Sequence, residues 1–406
     1  MTPTERDAAA AQTARPGIGL LAGRHKRVRG GPPWSYSNEV DMSAAARGLA
    51  PGTLVEVRDH AGAALGTAMF NPRSLIAARV ISAEGGAVID ADFLAARIAA
   101  ALALRTRLYA KPFYRLVHAE ADGLPGLVID RYGDNLVLQV GAAGMERLLP
   151  ALLAALDQVV APAAVLLRGN GPARALEGLA DETRWVAGAP DQPIEVVENG
   201  VRFLADAAGG QKTGWYFDQR ENRALVARLA GGGRILDLYC YLGGFGIQAA
   251  VAGAAAVTLL DRSQPALALA ERTATLAGVG EKCRFVRANA FHEMERMAKA
   301  GKRFEMVVAD PPAFVKTKRD LGSGARGYRK MVRLAAALVA PQGLLFAASC
   351  SHHVSAERFA DEVRFGLAAA GRDGKILQAG GAGPDHPVHA QLPESGYLKF
   401  QLLALD

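Results

Sequence analysis

The chain has 406 residues, half of them hydrophobic and 21% charged, which is too long for one ordinary domain and too apolar for a disordered or low-complexity protein. Its 47 Lys and Arg against 40 Asp and Glu leave a net charge of +7, which favours an anionic partner without requiring one. The three cysteines, Cys240, Cys283 and Cys350, lie far apart with no CxxC pair, so neither a disulfide framework nor a zinc site is indicated, and a reducing compartment fits.

Residues 1–16 read as a flexible tail without the apolar core of a secretion signal. Short strands are expected at 17–21, 54–59, 65–71 and 77–81, punctuated by Pro51-Gly52 and the pair Gly62 and Gly66. They outline a small β-rich domain over residues 17–90. Its first turn carries Arg24, His25, Lys26, Arg27 and Arg29, followed by Trp34 and Tyr36. Basic side chains here can neutralise phosphates, and RNA contact is favoured over a merely solvated turn. Trp34 is expected in the small core rather than on a base.

A helix at 91–108 leads to strands at 114–119 and at 126–140, the latter folded over Tyr132-Gly133-Asp134-Asn135. A helix at 145–156 and a strand at 164–169 complete an α+β domain over residues 91–193. The stretch 148–167 is the most apolar, but Pro150, Asp157, Gln158 and Pro162 break it, so it is not a membrane span and a cytoplasmic location is expected. Strands at 194–198 and 201–205 flank Asn199-Gly200, a strong hairpin signal. The last domain is placed at 194–406. From Asp218 onward helices and strands alternate: helix 218–229, strand 234–238, helix 245–252, strand 256–261, helix 265–277, strand 283–287, helix 290–300, strand 306–309, helix 327–340 and strand 343–349. That alternation predicts an α/β fold with a Rossmann-like, doubly wound parallel sheet.

Such sheets bind ligands at the carboxyl ends of their strands. The first of these ends reads Asp237-Leu238-Tyr239-Cys240-Tyr241-Leu242-Gly243-Gly244-Phe245-Gly246. The turn at Tyr239, Gly243 and Gly244 lets backbone approach a ligand. Its GGxG spacing departs from the GxGxxG that cradles a dinucleotide pyrophosphate. Asp237 would repel pyrophosphate, yet it can pair with the cationic amino-acid end of S-adenosylmethionine. Asp261, ending the second strand, can take both ribose hydroxyls, and Asn289, after the third, can hold the adenine amino group. Each could instead be a turn or cap residue; the ordered set of three favours the cofactor.

The fourth strand ends in Asp310-Pro311-Pro312-Ala313-Phe314. Prolines stiffen this loop, and Asp310 can hydrogen-bond the edge of a planar base, with Pro311, Pro312 and Phe314 beside it. A basic loop follows, with Lys316, Lys318, Arg319, Arg326, Arg329 and Lys330, and a phosphate-binding role is favoured there. The fifth strand ends in Ser349-Cys350-Ser351-His352-His353. Carbon 5 of cytosine is a poor nucleophile, and a thiolate adding at carbon 6 would activate it; Cys350 stands where it could do so. Cys240 and Cys283 read as structural. His352 and His353 are either a thiol-activating pair or, as favoured, turn residues.

With these residues in hand, the chain resembles the large-subunit ribosomal RNA cytosine-5 methyltransferase I family. The similarity runs from about Gly17 to the end. It is carried by Gly210-Gln211-Lys212-Thr213-Gly214-Trp215-Tyr216-Phe217-Asp218-Gln219-Arg220, by Glu120-Ala121-Asp122-Gly123, by the Asp310 loop, by Ser349-Cys350-Ser351, and by Asp385-His386-Pro387 with Gly396-Tyr397-Leu398-Lys399. The resemblance implies an N-terminal PUA RNA-binding domain, a central α+β domain and a methyltransferase domain. It implies methylation of carbon 5 of one cytosine in 23S ribosomal RNA, with Cys350 as nucleophile, S-adenosylmethionine held by Asp237 and Asp261, and Tyr216 or Gln219 also at the cofactor. No metal and no membrane are implied, and a homodimer is compatible. Asn289 stands where an acid is usual. The strand-four loop lacks the second cysteine of the other RNA cytosine-5 methyltransferases, which leaves the proton-removing base unassigned. The runners-up are a methyltransferase acting on an exocyclic amine or a guanine nitrogen, and a non-catalytic RNA-binding assembly factor.

Overall fold

A computed structural model describes residues 15–169 and 171–406, so the tail expected at 1–16 falls almost wholly outside the described residues. The chain divides into two compact units: one runs to Ala189 and includes His389–Leu392, and the other comprises Pro190–Val388 and Pro393–Asp406. The boundary expected near residue 193 lies close to this division, and the one expected at residue 90 lies inside the first unit.

The first unit contains two five-stranded sheets. In one, the strands run in the order Gly17–Gly19, Thr53–Arg58, Ala64–Phe70, Ile76–Ser82 and Trp34–Tyr36. Alternating apolar residues such as Val55, Val57, Ala68 and Phe70 are fully buried and form its core. The expected basic turn is a short helix, His25–Arg29. The other sheet runs from Glu182–Ala187 through Ala164–Gly169, Asn135–Val140 and Leu127–Tyr132 to Phe113–His118. Helices Ala91–Leu108 and Leu149–Val160 pack on it, and Met69 and Ile81 of the first sheet join its core. Buried Arg105 makes a twin hydrogen bond with Asp122 at 2.6 and 2.7 Å. Trp34 is half-buried and donates to Glu120 at 2.8 Å instead of filling the small core.

In the second unit, hairpin Ile194–Glu198 and Val201–Ala205 turns through Asn199 and Gly200, both at positive φ (51° and 83°), the conformation a two-residue turn needs. Helix α1 (Arg220–Leu229) follows a single 3-10 turn at Phe217–Gln219, two residues later than expected. The sheet consists of β1 (Arg234–Leu238), β2 (Ala256–Asp261), β3 (Cys283–Arg287), β4 (Phe304–Ala309), β5 (Val339–Ser349), β6 (Gly374–Gly380) and β7 (Lys399–Leu405). Its order is β3-β2-β1-β4-β5-β7-β6. The first five strands are parallel, and β7 runs antiparallel to both β5 and β6. Helices α2 (Gly244–Val251), α3 (Gln264–Leu276), α4 (Ala290–Lys299), α5 (Leu321–Ala336) and α6 (Ala356–Ala369) connect and cover them. Runs such as Met306-Val307-Val308-Ala309 are buried on both faces, as parallel strands require.

Helix α5 begins at Leu321, well before the expected residue 327; Gly322, Gly324 and Gly327 lower the helix propensity of its first turns, so the sequence there does not read as helix. A Cβ on Gly324 would lie 2.5 Å from the Phe314 carbonyl oxygen, so the glycine is what lets the Asp310 loop lie against the helix. Strands β6 and β7, unread in the sequence, close the sheet.

Candidate active site

Strand order reverses between β1 and β4, so the loops beyond their carboxyl ends diverge and open a crevice. Register places Asp237 opposite Val308 and Leu238 opposite Ala309. Asp237 and Asp310 therefore leave neighbouring strands at nearly one level. Ala309 in turn pairs with Ala347 of β5, which brings Cys350 to the same rim.

On the β1 side, Asp237 is buried, and its Oδ2 accepts the Gly246 N–H at 2.8 Å. Its Oδ1 is buried without a hydrogen-bond partner. Burial pushes the carboxyl up to about 8, Asp310 and Asp261 add to this, and the Gly246 N–H and Arg223 oppose it. An orphaned carboxylate oxygen in a buried site suits an incoming cation. Tyr239 and Tyr241 hold left-handed backbone (φ 61° and 49°), unusual for non-glycine residues and typical of ligand-binding turns. Gly243 has φ 77°, and a Cβ there would lie 2.7 Å from Ile247 Cδ1; one on Gly244 would lie 2.8 Å from Arg223 Cδ. Asp261 accepts the N–H of Tyr241 and of Ser263, both at 2.9 Å, which ties β2 to the same turn. The orphaned carboxyl oxygen of Asp237 beside this left-handed turn fits a ligand that carries a cation, as S-adenosylmethionine does, while both Asp261 oxygens already accept main-chain N–H groups.

Asn289 is exposed and caps α4, its Oδ1 accepting from Phe291 at 3.0 Å and His292 at 3.4 Å. The oxygen expected to take an adenine amino group is thus already engaged by main chain. The Tyr239 hydroxyl is buried without a partner, and its ring stands edge-on to Phe314 at 6.5 Å. Tyr216 stands edge-on to Tyr241 at 5.4 Å, and its hydroxyl donates to Gln211 at 2.9 Å.

On the β4 side, Asp310 is half-buried, and burial with the nearby Asp218 pushes its carboxyl up to about 7, against Arg223, Gln219 and Lys212. Pro311 is buried and Pro312 exposed. The Cys350 thiol points at the Pro311 carbonyl oxygen at 3.8 Å. Burial pushes that thiol up to about 11, Asp310 and Asp218 reinforce the shift, and Lys212 works against it. Ser351 joins the two loops: its Oγ accepts the Val315 N–H at 3.2 Å and lies 2.8 Å from the Tyr328 hydroxyl, which accepts the Phe314 N–H at 3.3 Å. His352 and His353 lie in the turn after Cys350, and burial with nearby Lys399 and Lys212 holds His352 below the usual imidazole range. Cys240 is buried against the glycine turn, its thiol near the Tyr241 carbonyl at 3.9 Å, and Cys283 opens β3.

The basic residues divide. Lys316 and Lys318 are exposed, and a capping box between Thr317 and Asp320 shapes their loop. Arg326, Arg329 and Lys330 belong to α5, not to a loop; Arg329 pairs with Glu362 at 2.8 Å and Lys330 with Glu295 at 3.1 Å. In the first unit Arg24 and Lys26 are exposed, but Arg27 donates to the Trp34 carbonyl at 2.8 Å, pairs with Glu39 at 3.3 Å and stacks on Tyr36 at 4.6 Å.

Sequence reading missed the support of the site. Buried Glu198, at the hairpin end, accepts from Arg223 at 2.5 and 2.9 Å, from Trp215 at 2.9 Å and from Gln248 at 2.9 Å. Arg223 also donates to the Tyr216 carbonyl at 2.6 Å. This network holds the segment bearing Tyr216, Asp218 and Gln219 against the crevice. Asp218 is buried and accepts the Tyr397 hydroxyl at 2.5 Å. Only its place beside Gln219 in a polar run ahead of a helix could have signalled it.

Comparison with known proteins gives a consistent picture. Residues 142–365 match the model of the S-adenosylmethionine-dependent methyltransferase family, and residues 18–83 match a PUA-like domain. The ribosomal RNA large subunit methyltransferase I of Photobacterium profundum is 36% identical over 387 residues, 94% of this chain and 97% of that protein. The protein of the same name from Tolumonas auensis is 36% identical over 386 residues, with the same coverage. Among solved structures, a Streptococcus mutans protein assigned as a SAM-dependent methyltransferase superposes with TM-score 0.81 at 20% identity, covering 96% of this chain and all of that one. Another assigned methyltransferase, in complex with SAH, gives 0.82 at 19% identity, covering 96% of this chain and 99% of that one. At such identities the superpositions show the fold.

Proposed function

We propose a specific reaction for a chain that belongs to the ribosomal RNA large subunit methyltransferase I family and is S-adenosylmethionine-dependent: it methylates carbon 5 of a cytosine in 23S ribosomal RNA through a covalent bond to Cys350. The observation that carries this reading is the lone thiol of Cys350 facing the Asp310 loop across 3.8 Å. When bound, the cofactor supplies an electrophilic methyl group. Asp237 would hold its ammonium and Asp261 its ribose, with Tyr239, Gly243, Gly244, Tyr216, Gln219 and Asn289 around it.

In the free protein the thiol is protonated at neutral pH, and Asp310, at about 7, is partly ionised. The Asp310 carboxylate accepts the thiol proton as sulfur bonds to carbon 6, and passes it to ring nitrogen 3, where the displaced electrons collect. Carbon 5 is thereby made nucleophilic and takes the methyl group. Solvent water takes the carbon 5 hydrogen as a proton, the electrons of that C–H bond re-form the 5,6 double bond and expel the Cys350 thiolate, and nitrogen 3 returns its proton through Asp310 to the sulfur. Pro311, Pro312 and Phe314 line the base, while Lys316, Lys318, Arg24 and Lys26 meet phosphates. The parts of the chain play the roles of a PUA-like module (17–90), a central α+β module (91–193) and a catalytic module (194–406). No described helix is long and apolar enough to cross a membrane.

The test is RNA carrying 5-fluorocytosine, which has no removable hydrogen at carbon 5. The wild-type protein should form a cofactor-dependent covalent adduct, and Cys350→Ala should form neither adduct nor product. Near-normal methylation by Cys350→Ala would replace this reading with direct transfer to an exocyclic amine, which the Asp310 loop alone could support.

A further inference from the structure

Lys399 opens β7, and its backbone pairs with Ser349 of β5, the residue before Cys350. Its side chain is 8% exposed. The ammonium donates to the carbonyl oxygens of Ser351 at 2.5 Å and Val354 at 2.6 Å, both in the turn that follows Cys350. No carboxylate pairs with it among the described residues. Burying an ammonium on carbonyls alone is costly, and a neutral donor could satisfy the same two oxygens more cheaply. The charge therefore calls for a partner, and the turn that it holds by two carbonyls is the one that begins at the Cys350 thiol.

Resting on the covalent reading above, we propose that Lys399 is a positioning residue of the methyl transfer: it clamps the turn carrying Cys350 and sets a fixed positive charge behind the sulfur, favouring the thiolate. The clamp is completed by Ser351, whose carbonyl is held by Lys399 while its hydroxyl is held by Val315 and Tyr328. The turn is thus gripped from both sides, and Cys350 is left aimed at the Asp310 loop. A thiolate on Cys350 raises the affinity of Lys399 for its proton, against burial that pushes the ammonium down to about 8. Coupling between two titrating groups is mutual in sign, so the ammonium favours the thiolate, though by less than Lys212 does. Asp310 and Asp218 oppose the thiolate and Lys212 supports it, while His352, in the same turn, is kept from protonation in part by Lys399.

The experiment compares full-length wild type, Lys399→Met and Lys399→Arg. Alkylation of Cys350 by iodoacetamide is followed across pH by peptide mass mapping, alongside methylation kinetics on 23S ribosomal RNA from a strain lacking the modification. Only thiolate reacts, so a rise of one pKa unit slows alkylation at neutral pH about tenfold. Lys399→Met should show about that loss in alkylation and in kcat, with KM for RNA and cofactor affinity by calorimetry unchanged. Lys399→Arg, which keeps the charge, should restore most of both. An unshifted alkylation profile in Lys399→Met overturns the proposal. So does joint loss of cofactor binding and kcat, or failure of arginine to rescue, which would make the lysine a support of the fold alone. If Lys399→Met does not fold, the arginine variant decides: a wild-type alkylation profile and kcat support the proposal, and their loss overturns it. Cys350→Ala run in parallel separates the two levels, because methylation surviving there sinks the covalent reading itself.

Discussion

The raised carboxyl of Asp237 carries a cost in stability that the binding role proposed for it would explain. Its carboxyl stands at about 8 in the folded free protein and near 4 in an unfolded chain. Between those values the native state holds a proton that the unfolded state has released, so the free protein loses stability as pH rises from about 4 to about 8. Asp310, raised to about 7, contributes in the same direction over a narrower window. Asp237→Asn should remove the larger part of this slope and be more stable than wild type at pH 8, by a few kcal/mol at most. It should also fail to bind S-adenosylmethionine. Wild type should release close to one proton per cofactor bound at pH 7, because the ionised form binds the ammonium. Chemical denaturation across pH and calorimetry in buffers of differing ionisation enthalpy measure both. A variant that binds cofactor normally would remove Asp237 from the site. Asp237, Asp261 and Cys350 were legible in the sequence because each ends a strand in a linear motif. Glu198 was not, since its partner Arg223 lies 25 positions away and only the folded hairpin brings them together. Lys399 was quoted in a motif without a role, because its partners are carbonyls of a distant turn.

At the scale of elements, periodicity and turn chemistry locate most strands of both units. The first turns of helix α5 look like a loop in the sequence because they carry glycines that serve a close approach. Helix His25–Arg29 is too short to show a period, so its sequence reads as a turn. This second case changes the expected RNA contact, because a helix sends its basic residues in different directions. Arg24 and Lys26 are exposed, whereas Arg27 is turned into the domain, on Glu39, Tyr36 and the Trp34 carbonyl. Replacing Arg24 and Lys26 with Gln should flatten the salt dependence of RNA affinity, by about 0.7 in the log–log slope per lost contact to single-stranded RNA. Arg27→Gln should instead lower the melting temperature of the first unit, for a cost of about 1–3 kcal/mol as buried Glu39 loses its charged partner. Binding titrations over a salt series and thermal melts separate the two. An unchanged slope in the double variant would mean that this helix does not meet the backbone.

Over the whole molecule, apolar burial is organised around separate centres. The first unit joins its two sheets through a shared core, with Met69 and Ile81 packed among Leu94, Ile98 and Leu116. Glu177 adds polar ties, accepting from Asn71 at 2.9 Å and Ser74 at 2.9 Å. Segments expected to be two domains should therefore melt together. The second unit has its own core around β1, β4 and β5, with Val307, Ala309, Leu345 and Ala347 fully buried. All the residues argued to hold S-adenosylmethionine belong to that unit. Calorimetric melting should then show two cooperative transitions, one per unit. Cofactor at a hundred times its dissociation constant should stabilise only the second, by about 2.7 kcal/mol, which for a unit of this size is a rise of roughly 5–10 °C. Asp237→Asn should keep both transitions and lose the shift. Three transitions would restore a boundary near residue 90 as an energetic one. A shift in the first transition alone would place the cofactor outside the β1–β4 crevice and remove Asp237 and Asp261 from its site.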